Sequence, residues 1–289
     1  MKKKVLVTGG AGFVGTNLVK RLHNDGNEVY VIDNLSAGKE ANYIDGVHYI
    51  VEDTKHIEST LSNINWKPDT IFHLGEYSKI TPSFDEIEKV FDYNIKGSFA
   101  VLQYARKNNI PVVYAASSTR LALEGENHSP YSFFKALVVQ MVKNYGDWYG
   151  LQYSICYFYN VYGEYQGTWN NEWQTVMGIF ENQYRNKQPL TVVGDGLQRR
   201  DFTYAGDIVN GLIAASQQIK NEEYQLGSGK DYSILEVASM FDTDITFIPA
   251  RRGDRRYGRA DVDKTLASLG WKAEMTLERW IRQIKESVQ

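Results

Sequence analysis

Short apolar runs rich in β-branched residues alternate with amphipathic segments through the first half of the chain. The runs predict buried strands at Val5–Thr8, Glu28–Asp33, Val47–Val51, Thr70–His73, Val112–Ala116 and Tyr153–Tyr157. The amphipathic segments predict helices at Gly12–Asn24, Thr54–Asn63, Phe84–Lys107 and Tyr131–Tyr149. Strands that alternate with helices are joined by right-handed crossovers, so the pattern predicts an α/β fold with a doubly wound parallel sheet.

The pattern loosens after residue 160, where glycines and aromatic residues interrupt shorter elements. We therefore expect a first domain over residues 1–160 and a smaller C-terminal α/β lobe over residues 161–289. A predicted helix at Gly206–Gln217 is the candidate for a segment, around residues 200–217, that returns to the first domain.

Composition narrows the class of protein. A hydrophobic fraction of 43 % excludes a mostly disordered chain, and a net charge of −3 argues against a nucleic-acid-coating protein. The single cysteine, Cys156, excludes an intramolecular disulfide and fits a reducing compartment. No apolar stretch approaches the roughly 20 residues that span a bilayer, so we expect a cytoplasmic protein without a membrane partner.

A glycine-rich segment follows the first predicted strand and opens the first predicted helix. Gly9, Gly12 and Gly15 are spaced G-x-x-G-x-x-G, a variant of the dinucleotide-binding fingerprint. Such glycines permit a tight turn and close approach to a pyrophosphate, and the helix N-terminus supplies free amide donors. A glycine turn without a ligand is the alternative, but the flanking elements favour a Rossmann-type dinucleotide site.

Two acidic residues end predicted strands near this loop. Asp33 follows Gly15 at close to the roughly 20-residue spacing of a ribose-binding acid. A carboxylate there accepts bonds from both ribose hydroxyls and repels a 2′-phosphate, which favours NAD over NADP; a turn cap before Asn34 is the alternative. Asp53 is a candidate for the adenine amino group, with a helix cap before Thr54 as the alternative.

A tyrosine and a lysine lie four positions apart on one predicted helix, Tyr131 and Lys135. A lysine cation beside a phenol favours the phenolate, which can take a proton from a sugar hydroxyl while a hydride leaves for NAD. The pattern alone is weak in a chain with 20 tyrosines. Ser117, at the end of the fifth predicted strand, strengthens it because sites in such sheets lie beyond the carboxyl ends of the strands.

The sequence resembles the extended short-chain dehydrogenase/reductase family, in particular the NAD-dependent nucleotide-sugar epimerases and dehydratases. The resemblance covers essentially the whole chain. Besides the glycine loop and the Tyr131/Lys135 pair, it rests on Phe72-His73-Leu74, Asn94 in Asn-Ile-Lys-Gly, Phe158–Gly163, Gly194–Phe202 and Arg251-Arg252-Gly253-Asp254.

The resemblance implies that Tyr131 is the base, that Ser117 polarises the hydroxyl on sugar carbon 4, and that Lys135 holds the nicotinamide ribose. The implied NAD-binding residues are Gly9, Gly12, Phe13, Val14, Gly15, Asp33, Asn34, Asp53, Leu74, Tyr131 and Lys135. The implied substrate-binding residues are Ser118, Asn160, Arg200 and Arg251. The other arginines near Arg251 (Arg252, Arg255, Arg256 and Arg259) are expected to form a solvated basic face, and no metal is expected.

The chain departs from the family pattern in three places. Neither acid of the 4,6-dehydratase motif follows Ser117, which disfavours dehydration. The connection from Ser117 to Tyr131 is shorter than usual, which would admit a larger sugar such as a heptose or let a keto intermediate escape. Gly75-Glu76-Tyr77-Ser78 replaces small residues beside the sugar, and the roles of Glu76, Tyr77 and Arg120 stay open.

We expect the protein to oxidise carbon 4 of a nucleotide-linked sugar with tightly held NAD, and an epimerase is the leading hypothesis. The alternatives are a nucleotide-sugar 4-dehydrogenase that releases the 4-keto sugar, then a 4-keto reductase, a 4,6-dehydratase or a non-catalytic NAD sensor. A homodimer or higher homo-oligomer is expected. Trp169, Trp173 and Tyr184 are candidates to line the sugar pocket, although aromatic residues on helices more often belong to a core.

Overall fold

The computed structural model of the protein describes residues 2–121, 125–166 and 174–288. Its strands are β1 Lys4–Thr8, β2 Glu28–Asp33, β3 His48–Val51, β4 Thr70–His73, β5 Val112–Ser117, β6 Tyr153–Phe158, β7 Asn160–Tyr162, β8 Leu190–Val193, β9 Arg199–Tyr204, β10 Glu222–Leu226, β11 Asp231–Ser233 and β12 Ile245–Ile248. Its α-helices are α1 Phe13–Asn24, α2 Ile57–Asn63, α3 Ile87–Val90, α4 Ser98–Asn108, α5 Pro130–Tyr149, α6 Val176–Arg185, α7 Ala205–Gln217, α8 Ile234–Ser239, α9 Asp263–Leu269 and α10 Leu277–Glu286.

Seven strands form one parallel sheet in the order β10-β6-β5-β4-β1-β2-β3. Side chains of a strand alternate between the two faces, so Leu6 packs with one core while Val5 and Val7 pack with the other. Helices α2, α4 and α5 cover the first face, and α1 and α7 cover the second. The predicted doubly wound, Rossmann-type sheet is confirmed.

The strand at one edge of the sheet, β10, comes from the second half of the chain and pairs with β6. Helix α7 precedes it and contributes Ile208 and Leu212 to the core beneath the sheet. The remaining C-terminal elements form two small sheets, β11-β9-β7 and β12-β8, around a separate core that includes Phe180, Phe202 and Phe241. A domain boundary near residue 160 stays a proposal.

The predicted helix Phe84–Lys107 is divided in the structure. A 3₁₀ turn at Thr81–Phe84 is followed by α3, and a π-helical segment at Phe91–Gly97 joins α3 to α4. The π-helical segment contains Asn94, whose side-chain amide bonds the backbone N–H and C=O of Tyr77 at 2.7 and 3.1 Å. Apolar spacing does not distinguish a π-helical turn from an α-helical one, and such turns are frequent at functional sites.

Candidate active site

A cavity of about 780 Å³ lies beyond the carboxyl ends of β1, β4 and β5 and extends to the C-terminal lobe. The first half of the chain lines it with the glycine loop, Asp33 and the Tyr131/Lys135 pair. The C-terminal lobe lines it with Asn160 and Arg200, among others. Cavities of this size at the strand ends of a parallel sheet are where such folds bind their ligands.

The glycine loop is packed so closely that side chains cannot replace its hydrogens. A Cβ atom at Gly15 would lie 2.0 Å from the carbonyl oxygen of Gly9, and one at Gly9 would lie 2.8 Å from the Cα of Gly75. Gly9 also has a φ of +70°, which favours glycine. Gly12 precedes α1 without a side-chain cap, so the helix presents its first amide donors to the cavity.

Asp33 lines the cavity next to this loop. Its carboxylate accepts hydrogen bonds from the backbone N–H of Ala11 at 2.9 Å and of Leu35 at 2.8 Å. Burial raises the pKa of Asp33, and these two bonds oppose the rise. The turn-cap role and the cavity position thus coexist, because a carboxylate can accept about four hydrogen bonds.

Asp53 makes the helix cap before Thr54 that the sequence offered as the alternative to a contact with adenine. Its side chain accepts the backbone N–H of Lys55 at 3.1 Å at the start of a short 3₁₀ helix, and its carboxylate is not among the groups that line the cavity in the described residues. The structure shows the cap, and the contact with the adenine amino group stays a prediction. Asn34, which lies against Asp53 at 3.4 Å, and Leu74, Phe13 and Val14 do line the cavity.

Tyr131 and Lys135 occupy successive turns of α5, and both line the cavity. The helix begins at Pro130 after Ser129, whose hydroxyl caps the backbone N–H of Ser132 at 3.1 Å. The backbone N–H of Tyr131 donates to Ser83 Oγ at 3.2 Å. These contacts fix the first turn of α5 against the loop after β4.

Ser117 lines the same cavity at the end of β5. Its Oγ accepts the Thr119 hydroxyl at 3.0 Å and the Thr119 backbone N–H at 3.3 Å. Since Ser117 Oγ accepts both of these bonds, its own proton can be donated to a further acceptor. Tyr131, Lys135 and Ser117 thus line one cavity, and their roles in proton transfer at a sugar hydroxyl stay predictions.

Glu76 is a second charged group at this end, and its role was open in the sequence. Its side chain is only 2 % exposed and forms an ion pair with the Lys135 ammonium, which is 8 % exposed. Ser98 Oγ donates to Glu76 Oε1 at 2.7 Å, and the Tyr114 hydroxyl donates to Oε2 at 3.0 Å. Lys135 also donates to the carbonyl oxygen of Ala115 at 2.5 Å.

A chain of hydrogen bonds continues from Ser98 into the sheet. His73 Nε2 lies 2.8 Å from Ser98 Oγ, and His73 Nδ1 lies 2.7 Å from Thr8 Oγ1. Burial lowers the pKa of His73 to about 4, so the ring is neutral at neutral pH. The motif residue His73 is thus a buried connector rather than a residue of the cavity wall.

The C-terminal lobe supplies arginines to the opposite side of the cavity. Arg200 is buried, pairs with Asp254 at 2.6 Å and donates to the backbone oxygen of Arg255. Arg251, which lines the cavity, is exposed. Asn160 lines the cavity at the start of β7.

The expectation of a solvated basic face is wrong for Arg255. This arginine is buried and lines the cavity, with Nη2 3.5 Å from Ser118 Oγ. Arg256, exposed and paired with Asp195 at 2.8 Å, does match the expectation. The two neighbours point in different directions because the segment is irregular, and no periodicity in the sequence distinguishes them.

Lys79 also lines the cavity and was not predicted. Burial lowers its pKa to about 7. Tyr77, whose role was open, lines the cavity and donates its hydroxyl to Glu86 at 2.7 Å. Arg120 donates to the backbone oxygen of Ala136 at 3.1 Å and is not among the described lining residues.

Of the three aromatic candidates for the sugar pocket, the structure describes only Tyr184. Tyr184 packs against Phe241 in the C-terminal core, with ring centroids 5.5 Å apart. Trp169 and Trp173 lie outside the described residues. Tyr184 thus follows the general preference of aromatic residues on helices for the core.

Sequence comparison places these features in a known group. The profile of the NAD dependent epimerase/dehydratase family matches residues 5–227. The chain belongs to this family. A Methanocaldococcus jannaschii protein named for UDP-glucose 4-epimerase activity is 30 % identical over 303 aligned positions, which cover 97 % of this chain and 96 % of that protein.

Other members of the family carry different names. UDP-glucuronic acid decarboxylase 1 of Danio rerio is 26 % identical over 98 % of this chain and 72 % of its own length. The crystal structure of UDP-glucose 4-epimerase from Thermotoga maritima with UDP-glucose superposes with a TM-score of 0.91 at 26 % identity, covering 99 % of this chain and 100 % of that one. Similarity to the family thus extends over the whole fold.

Members of the family are NAD-dependent, and the cavity of this chain fits that cofactor. The glycine loop forms a cradle that any Cβ at Gly9 or Gly15 would fill, and Asp33, the predicted ribose-binding acid, lines the cavity beside it. The described residues contain no group of three or more side chains suited to hold a metal ion. No helix within the described ranges has the length and apolar character needed to cross a membrane.

Proposed function

We propose that the protein is a nucleotide-sugar 4-epimerase. The observation that carries the proposal is the meeting of Tyr131, Lys135 and Ser117 in the cavity that also contains the glycine cradle. This combination supports oxidation at a sugar carbon that bears a hydroxyl. NAD, when bound, accepts a hydride from that carbon and returns it.

Tyr131 takes the proton of the hydroxyl on carbon 4 and later gives it back to the same oxygen. Ser117 donates a hydrogen bond to that oxygen and stabilises the charge that develops on it. Lys135, which the family resemblance assigns to the nicotinamide ribose, lies one helical turn from Tyr131. General acid–base catalysis of this kind contributes roughly 10²–10⁴-fold to a rate.

The nucleotide diphosphate is expected to lie on the side formed by the C-terminal lobe. Arg251 and Arg200 present guanidinium groups there, and guanidinium forks pair well with phosphate oxygens. Asn160 adds an amide at the start of β7. The sugar then points toward Ser118 and Arg255, at the end of the cavity nearest Ser117.

Ser118 and Thr119 follow Ser117 where the 4,6-dehydratases of this family carry acids, so elimination of water lacks its proton shuttle. Arg255 next to Ser118 adds a cation instead. These residues support return of the hydride to the same carbon rather than elimination.

The test is to incubate purified protein with UDP-, GDP-, dTDP- and CDP-linked sugars one at a time, including UDP-glucuronic acid. Chromatography of the products and absorbance near 340 nm are recorded together. An epimerase produces the isomeric sugar with little persistent absorbance. A Tyr131→Phe variant should lose at least about 100-fold in turnover while retaining bound NAD.

Other outcomes contradict the proposal in distinct ways. A released 4-keto sugar with a lasting rise near 340 nm would indicate a dehydrogenase. Release of carbon dioxide from UDP-glucuronic acid would indicate a decarboxylase, and loss of water a dehydratase. Failure of every sugar to react with NAD-loaded protein would leave a sensor as the better description.

A further inference from the structure

Three hydrogen-bond donors converge on the buried carboxyl group of Glu76. They are the Ser98 hydroxyl at 2.7 Å, the Tyr114 hydroxyl at 3.0 Å and the Lys135 ammonium. A carboxylate accepts several hydrogen bonds, whereas a protonated carboxyl group must donate one. The three donors therefore indicate that Glu76 is ionised.

The hydrogen bonds that run from Thr8 through His73 and Ser98 to Glu76 are all donated toward Glu76. Thr8 Oγ1 accepts the backbone N–H groups of Leu74 and Gly75 at 3.1 and 3.0 Å, so its own proton goes to Nδ1 of His73. His73 then carries its proton on Nε2 and donates to Ser98, which donates to Glu76. A neutral His73, as its low pKa indicates, fits this assignment. The whole chain thus stabilises a negative charge on Glu76.

The Lys135 ammonium contacts two hydrogen-bond acceptors and one aromatic ring. Among the described residues it donates to Glu76 and to the Ala115 carbonyl, and its ammonium lies 4.6 Å from the centre of the Tyr114 ring. The positive charge of Lys135 is therefore offset within one ion pair that is almost completely shielded from water. Electrostatic effects of such a pair on a neighbouring group are larger than at the surface because screening is weak.

With Tyr131 and Ser117 in their proposed roles, bound NAD would place its nicotinamide at this end of the cavity, because these residues would act on the sugar carbon that exchanges the hydride. The oxidised nicotinamide ring is a cation, and the reduced ring is neutral. An unpaired lysine at this end would favour the neutral, reduced form. We propose that Glu76, by neutralising Lys135, is a specificity-determining residue that makes the site prefer the oxidised form of NAD.

The consequence deepens the proposed function, on which it rests. A site that favours the oxidised cofactor disfavours accumulation of a reduced complex with an oxidised sugar. Return of the hydride to the sugar is then the favoured outcome, as an epimerase requires. Glu76 would supply this bias from a position where the family resemblance leads one to expect a small residue.

The test compares wild-type protein with Glu76→Gln, which removes the charge and keeps the size of the side chain. Holoprotein is equilibrated with equimolar NAD⁺ and NADH until the composition is constant, free nucleotide is removed, and bound nucleotides are released with urea and separated by chromatography. The ratio of bound NADH to bound NAD⁺ should rise about tenfold in Glu76→Gln, as expected for loss of one nearby charge. If bound nucleotide does not exchange, the reduction potential of the bound NAD is measured by titrating the holoprotein with a reductant and a redox mediator. The difference between this potential and that of free NAD gives the ratio of the two affinities through the thermodynamic cycle.

Glu223→Gln is the matched control. Glu223 also forms an ion pair with a lysine, Lys143, and accepts a tyrosine hydroxyl, that of Tyr157, at 2.5 Å. It is not among the described residues that line the cavity. Its neutralisation should leave the NADH to NAD⁺ ratio unchanged, so a general loss of stability is separated from a local effect of charge.

Glu76→Asp and Glu76→Ala complete the test. The aspartate keeps the charge and should stay within about twofold of the wild-type ratio, while the alanine should behave like the glutamine variant and replaces it if that variant does not fold. The proposal is overturned if a folded neutral variant keeps the wild-type ratio, or if the aspartate raises the ratio as much as the glutamine. The competition contains no sugar, so its failure leaves the proposed function intact, and absence of sugar conversion leaves the competition result valid.

Discussion

Arg255 Nη2 lies 3.5 Å from Ser118 Oγ, which brings a buried guanidinium from the C-terminal lobe to the carboxyl end of β5. The contact joins residues 137 positions apart in the chain. Both residues line the cavity, and the sugar is expected beside them. The neighbouring Arg256 turns outward to Asp195, so the chain provides a natural comparison for a test.

We expect Arg255→Leu to raise the KM for the nucleotide sugar about tenfold or more, because loss of a buried charged hydrogen-bond donor costs about 1.5–3 kcal/mol. Bound NAD should be retained. Arg256→Leu removes an exposed ion pair and should leave KM within about twofold. Steady-state kinetics give the KM of each variant. An equal change of KM in Arg255→Leu and Arg256→Leu would contradict a role for Arg255 in the sugar site.

Neutralising Asp33 should weaken the preference for NAD over NADP. In Asp33→Asn the side chain still offers an oxygen acceptor beside Ala11 and Leu35, but the charge that repels a 2′-phosphate is gone. We expect about tenfold weaker NAD binding and a smaller difference between the two cofactors in titrations.

Asp53→Asn is compared with Asp33→Asn. Asp53 caps a short helix next to the cavity, so its change should lower the free energy of unfolding by no more than about 1 kcal/mol. NAD binding should weaken less than in Asp33→Asn, because the asparagine oxygen still accepts a hydrogen bond from an adenine amino group. A loss of NAD affinity equal to that of Asp33→Asn would contradict this expectation.

The buried His73 should make the protein less stable in mild acid. Burial lowers the pKa of His73 from 6.5 to about 4, so between these values the unfolded chain binds a proton that the folded chain excludes. The free energy of unfolding therefore falls as pH decreases through this window, by about 3 kcal/mol from this residue alone.

Urea unfolding from pH 7 to pH 4 measures this contribution. His73→Gln keeps polar contacts to Thr8 and Ser98 but does not titrate, so its stability should depend less on pH than that of the wild type. Parallel curves for the two proteins would show that His73 is not the source of the acid sensitivity.

The Cys156 thiol should be unreactive in the folded protein. It lies in β6 with no exposed surface, and burial raises the pKa of its thiol. Because the thiolate is the reactive form, a thiol reagent such as dithionitrobenzoate should modify Cys156 only after denaturation. Fast modification of native protein would contradict the packing around β6.

Much of the fold was predictable because it depends on local pattern. Buried strands and amphipathic helices impose their own periods on the sequence, and these predicted six of the seven strands of the parallel sheet to within a residue or so at each end, whereas β10 was not predicted. The glycine loop was predictable for a similar reason, since Gly9 and Gly15 stand where no other side chain fits. That Tyr131 and Lys135 lie on successive turns of one helix follows from their spacing.

The roles of single polar residues were predictable only in part. Asp33 caps its turn and lines the cavity, and Asp53 makes the helix cap that was the alternative to a contact with adenine. The π-helical segment that divides the predicted helix Phe84–Lys107 contains Asn94, which binds the backbone of Tyr77 in a separate segment. Local sequence carries no signal for such contacts.

The sequence by itself determined which elements form, which loop has to be glycine and which helix presents a tyrosine with a lysine. Only the tertiary structure decided that Glu76 meets Lys135, 59 residues later in the chain, and that Arg255 reaches Ser118. The physical reason is that these pairs form where β4 and β5 lie side by side and where the C-terminal lobe folds over them. Charge compensation at the reactive end of the cavity is therefore a property of the packed molecule, not of any segment of it.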